Sequence, residues 1–114
     1  MKTFFKKLIP CDGVKNVLQL ECCDPLWFEF DSHSKKISLY DLDHNFIGIC
    51  PQDFVHDFCF LMEQDWDFSF SIEEITQAIE RGRVERDITL RISAYYPGEN
   101  IADIAEVAQN LRFN

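Results

Sequence analysis

Apolar and polar residues alternate from 26 to 31, with Leu26, Phe28 and Phe30 on one side and Trp27, Glu29 and Asp31 on the other. A period of two marks a strand with one buried face. After the polar run 31–36 the alternation resumes at Ile37 and Leu39, and the turn Asp43-His44-Asn45 leads into a third stretch at 46–50. Three short strands with short turns predict an antiparallel meander over 26–50. A looser alternation at 14–22 (Val14, Leu18, Leu20, Cys22) predicts another strand, ended by Asp24-Pro25. The apolar start (Phe4, Phe5, Leu8, Ile9) reads as a first strand or helix packing on the core.

The period changes at Pro51. Phe54, Val55, Phe58, Leu61 and Met62 recur at the spacing of one helical face, which predicts a helix over 52–64. Cys59 borders that face as a small hydrophobe. Ser71 followed three residues later by Glu74 has the form of a capping box, Phe70 precedes it as a staple for Ile75, and Gly82 stands where a helix would stop. These signals predict a second helix over 72–81, with Ile72, Ile75 and Ile79 as its apolar edge. A long strand is expected over 84–96, a Pro97-Gly98 turn after it, and a last helix over 100–111 capped by Asn100. The expected fold is one α+β domain over residues 1–114, an antiparallel sheet of four to five strands packed with three helices.

Charge changes this picture by marking one region. Residues 37–80 hold ten carboxylates (Asp41, Asp43, Asp53, Asp57, Glu63, Asp65, Asp67, Glu73, Glu74, Glu80) and no Lys or Arg, while the flanking regions are nearly balanced. The formal charge of −9 therefore comes from the middle of the chain. A one-signed field of this kind steers a partner of opposite charge. It disfavours direct binding to nucleic acid, whose phosphates need a basic patch.

The remaining chemistry narrows by elimination. Asp41-x-Asp43-x-Asn45 matches the start of a calcium loop, but Phe46 and Gln52 stand where its Gly and Glu belong, so a hairpin turn is the expected role. Five cysteines (Cys11, Cys22, Cys23, Cys50, Cys59) lack paired zinc spacing. They predict free thiols in a reducing compartment, the cytoplasm, and adjacent Cys22 and Cys23 would face opposite sides of a strand. Lys6 and Lys7 interrupt any signal-like apolar run, and no stretch is long enough to span a membrane. No catalytic residue, metal or cofactor is expected. His56 and Cys59, three apart on the first helix, read as a solvent histidine beside a core thiol.

The function expected from this pattern is a small acidic inhibitor or binding protein that docks on a basic cleft of a partner protein, with no direct contact to nucleic acid or membrane. In charge and size the chain resembles toxin-immunity proteins, which neutralise nuclease-type toxins, and phage-type nucleic-acid mimics. Two other readings are an interaction module whose acidity serves solubility, and a small hydrolase using carboxylates. The expected docking surface is the outer side of the first helix. There Asp53, Asp57, Phe60 and Gln64 fall within about 60° at 100° per residue. Asp65, Trp66 and Asp67 extend it, and Glu73 and Glu80 lie on the outer side of the expected second helix.

Overall fold

The computed structural model describes residues 1–11 and 19–97. Within them the chain forms seven strands and one helix: β1 (Lys2–Lys7), β2 (Ile9–Pro10), β3 (Pro25–Asp31), β4 (Lys36–Tyr40), β5 (Phe46–Ile49), α1 (Gln52–Met62), β6 (Asp67–Glu80) and β7 (Arg83–Tyr95). All pairings are antiparallel, in the order β1-β7-β6-β3-β4-β5-β2.

The two ends of that order are one piece of chain, since only Leu8 separates β1 from β2. The first half pairs with β7, from Lys2 opposite Ala94 to Lys7 opposite Thr89, and the second half pairs with β5 at Ile9–Ile49 and Pro10–Gly48. Leu8 is buried at the bend, and its N–H bonds to the Ile88 carbonyl at 2.9 Å. The sheet thus curls into a nearly closed barrel, which leaves less exposed edge than an open sheet would present.

One seam stays loose. β3 and β6 pair only at Pro25–Ser71 and Leu26–Phe70. Beyond that point the aromatics of α1 pack against both strands. The Phe58 ring lies 4.4 Å from Phe68 of β6 and 5.0 Å from Phe30 of β3, and Phe54 sits 5.1 Å from Phe4 of β1. Phe54, Val55, Phe58 and Leu61 are buried as their spacing predicts, among Ile37, Leu39, Ile47, Ile72, Leu90 and Ile92 from the strands, whereas Met62, expected on the same face, is exposed at the end of the helix. Asp65 ends the helical turn in left-handed backbone (φ 65°), with Asp65 N–H to Met62 O and Trp66 N–H to Leu61 O. That pair of bonds is a Schellman closure, in which Asp stands at the position usually taken by Gly.

The meander, the first helix and the long strand at 84–96 agree with expectation. The α+β class does not: the described residues form seven strands and one helix, against an expectation of four to five strands and three helices, the last of which lies outside them. The second helix, over 72–81, is in fact most of β6. Phe68, Phe70 and Ile72 alternate inward, and the register then shifts between Ile72 and Glu74, leaving Glu73 without a counterpart on β7. This β-bulge resets the alternation so that Ile75 comes three residues after Ile72, and a strand step of three copies a helical step. The β-branched Ile72, Ile75, Thr76 and Ile79 favour the strand, and Ile79, assigned to a buried edge, is 77% exposed. Ser71 is not a cap but lies mid-strand, between Pro25 and Arg91. Arg81 and Gly82, both at positive φ (54° and 75°), form the two-residue hairpin turn from β6 to β7. Residues 19–23 are not strand, while residues 12–18, the turn glycine Gly98 and the helix expected over 100–111 lie outside the described residues.

Gly48 is a tight point of closure. A Cβ there would collide with the Ile9 carbonyl oxygen and meet Leu8 Cδ1 and Pro10 Cα at 3.0 Å, at a backbone φ of 155°. Gly48→Ala should therefore cost about 2–3 kcal/mol through overpacking against backbone. Gly82→Ala meets nothing within 4 Å and should cost about 1 kcal/mol, from positive φ alone. Urea denaturation of both variants compares the two, and equal losses would contradict a tight β2–β5 closure.

Candidate functional site

The outer side of α1 is fixed by what its inner side does. With Phe54, Phe58 and Leu61 locked into the barrel, Asp53, His56, Asp57, Phe60, Glu63 and Gln64 point to solvent. Phe60 is 60% exposed, a large aromatic standing among carboxylates. The structure thus brings Asp53, Asp57, Phe60 and Gln64 together, and Asp65 and Asp67 follow them as exposed residues.

Not every predicted member is available in the same way. Asp53 accepts a 2.8 Å ion pair from Lys6 of β1. That hydrogen bond holds the Asp53 carboxyl below its ordinary range and the Lys6 ammonium above its own. Trp66 is half-buried, edge-on to Tyr96 at 5.5 Å with the Lys2 ammonium 5.6 Å from its ring, so it anchors the chain after α1. Glu73 pairs with Arg91 at 2.8 Å on the barrel wall. Glu80 closes the far end of β6, thirteen strand steps or roughly 40 Å from Asp67. Glu73 and Glu80 therefore do not share the helix surface.

The turn and thiol chemistry is also resolved. Asp41 Oδ1 accepts from the backbone N–H groups of Asp43 (2.9 Å) and Asn45 (2.8 Å), and its Oδ2 accepts from Asn45 Nδ2 (3.1 Å). The carboxylate of the calcium-like motif builds the hairpin turn. None of the five cysteines forms a disulfide. Cys50 is buried, which pushes its thiol up to about 12, and Cys59 packs on the core. Cys22 and Cys23 do not face apart: they sit in a turn, Cys23 at φ 72°, with their sulfurs 3.5 Å apart. Among the described residues no three His, Cys, Asp or Glu side chains gather as a metal site. No helix among them is long and apolar enough to cross a membrane.

Sequence reasoning missed a second surface, on the outside of the meander. Trp27, Tyr40 and Phe46 occupy directly paired positions on β3, β4 and β5, and His44 stacks on Trp27 at 5.8 Å. The signal was a tryptophan on the polar side of an alternating strand. Trp27 is 52% exposed and Phe46 40%.

The Lys6–Asp53 pair has a defined pH window. Asp53 is depressed from 3.8, so its contribution is complete above that value and is lost as pH falls through the folded pKa. Lys6 is raised from 10.5, so its contribution is complete below that value and is lost as pH rises through the folded pKa. Asp53→Asn should lower the melting midpoint slightly and evenly from about pH 5 to about pH 9, with the gap closing below about pH 3 and above about pH 11. A gap that persists undiminished at the acid end would contradict the pairing.

In comparisons with known proteins, no family model, no curated protein and no solved structure matches this chain.

Proposed function

We propose that the chain is a small inhibitor or binding protein that docks the outer side of α1 on a basic cleft of another protein, of the kind that handles nucleic acid. Nuclease-type toxins are partners of this class, because a site that receives phosphates is lined with Lys and Arg. The observation that carries the reading is Phe60, 60% exposed in the middle of an acidic helix face. An aromatic that can be buried on contact supplies affinity, while surrounding charges supply steering and orientation. Asp57, Glu63, Asp65 and Asp67 are exposed around or just beyond it. The helix that presents them is held by ring contacts on its other side, so little ordering is required on docking.

The test uses the basic partner purified from the native host and measures both rates of association. The on-rate should fall steeply as ionic strength rises, since screening shortens the steering field. Phe60→Ala should raise the off-rate about thirtyfold, equivalent to roughly 2 kcal/mol, with the on-rate nearly unchanged. Asp57→Asn should act mainly on the on-rate. Phe60→Ala should leave the melting midpoint near wild type, whereas Phe58→Ala should cost about 3–5 kcal/mol as a truncated core aromatic. A salt-insensitive on-rate together with an unaffected Phe60→Ala off-rate would overturn the reading.

A further inference from the structure

The outer face of the meander holds a cleft of about 330 Å³ lined by Trp27, Phe28, Glu29, Tyr40 and His44. Its walls follow from strand register. Trp27 and Tyr40 stand directly opposite each other on β3 and β4; Trp27 stacks on His44, and Tyr40 packs on Phe46 at 5.8 Å. Tyr40 also donates its hydroxyl hydrogen to Glu29 Oε2 at 3.0 Å, which fixes the carboxylate beside the aromatic rings.

The lining is rich in π faces and holds one carboxylate. Aromatic faces carry negative charge density and attract cations, and in water weakly hydrated cations such as alkylammonium and guanidinium groups lose least on leaving solvent. A fixed carboxylate beside them adds a direct counter-charge. The chain's own cations use this chemistry elsewhere: Lys2 over Trp66, Lys35 over Phe30 and Arg91 over Phe5. Among the described residues no Lys or Arg lies over Trp27 or pairs with Glu29. Trp27, with 52% of its surface exposed, and Glu29 are thus left without a Lys or Arg partner among the described residues.

We propose that this cleft is a binding site for an organic cation, an alkylammonium or guanidinium group, received between Trp27 and Tyr40 above the Glu29 carboxylate. The site lies on the opposite side of the sheet from α1 and does not depend on docking there.

The test titrates the wild-type protein with choline, with blocked lysine, Nε-trimethyl-lysine and arginine, and with the neutral tert-butyl isostere of trimethyl-lysine. Binding is followed by the indole N–H resonance of Trp27 and by ring-current shifts of the ligand methyl groups. The trimethylammonium probe should bind at least about tenfold more tightly than its neutral isostere, because shape and apolar area are the same and only charge differs. Trp27→Ala should weaken cation binding by about tenfold or more, and Glu29→Gln should weaken it by a smaller factor. Phe60→Ala should leave it unchanged, so failure of this proposal and failure of docking at α1 are separable. Tighter binding of choline would identify a free cation as the ligand, and tighter binding of the blocked amino acids would identify a protein side chain. Equal binding of the charged and neutral probes, or no binding of any cation, would overturn the proposal without requiring any variant to fold.

Discussion

Everything in this structure depends on residues 2–10 serving both ends of the sheet. A segment that pairs with β7 through its first half and β5 through its second can do so only by bending at Leu8, whose side chain is buried and whose N–H is held by Ile88. The bend brings Pro10 against Gly48, where no side chain on β5 would fit. Closure then defines an interior, and the short β3–β6 pairing leaves that interior open at one seam. α1 fills the seam because Phe54 and Phe58 are long enough to reach rings on β1, β3 and β6.

The functional surfaces are consequences of this closure. A helix used as a plug must turn its other side outward, and in this chain that side carries Asp57, Phe60, Glu63 and Gln64. Asp53 belongs to the same surface but also ties it to β1 through Lys6, so part of the acidity is structural. Across the sheet, the meander's outer face presents Trp27, Tyr40 and Phe46 in one row. The two surfaces differ in kind: one is convex, acidic and single-aromatic, the other a cleft with several rings and one fixed carboxylate.

Where local pattern and global structure agree, the sequence was legible. The alternation at 26–31 placed Leu26, Phe28 and Phe30 inward, and the helical spacing after Pro51 placed Phe54, Phe58 and Leu61 in the core and left Phe60 off it. Reading failed where one residue changed the phase. Glu73 bulges out of β6, converts a step of two into a step of three, and together with Ser71 and Glu74 imitates a capped helix. Cys23 in left-handed backbone did the same on a smaller scale, turning two residues expected to diverge into neighbours. Long-range pairings such as Lys6–Asp53 and Arg91–Glu73 leave no local mark, which is why Asp53 read as a free acid and Glu73 as a surface one. Glu80 was grouped with the helix acids only because β6 was read as helix, a conformation that would have kept it close.

The central claim is that the acidic outer side of α1 is the surface a basic partner covers. Carboxyl footprinting of the complex with that partner, by carbodiimide-driven amidation read out by mass spectrometry, tests it residue by residue. The account predicts that labelling of Asp57 and Glu63 falls on saturation while Asp43 and Glu74, also exposed but away from the helix, label as in the free protein. Unchanged labelling of Asp57 and Glu63 in the saturated complex would contradict it.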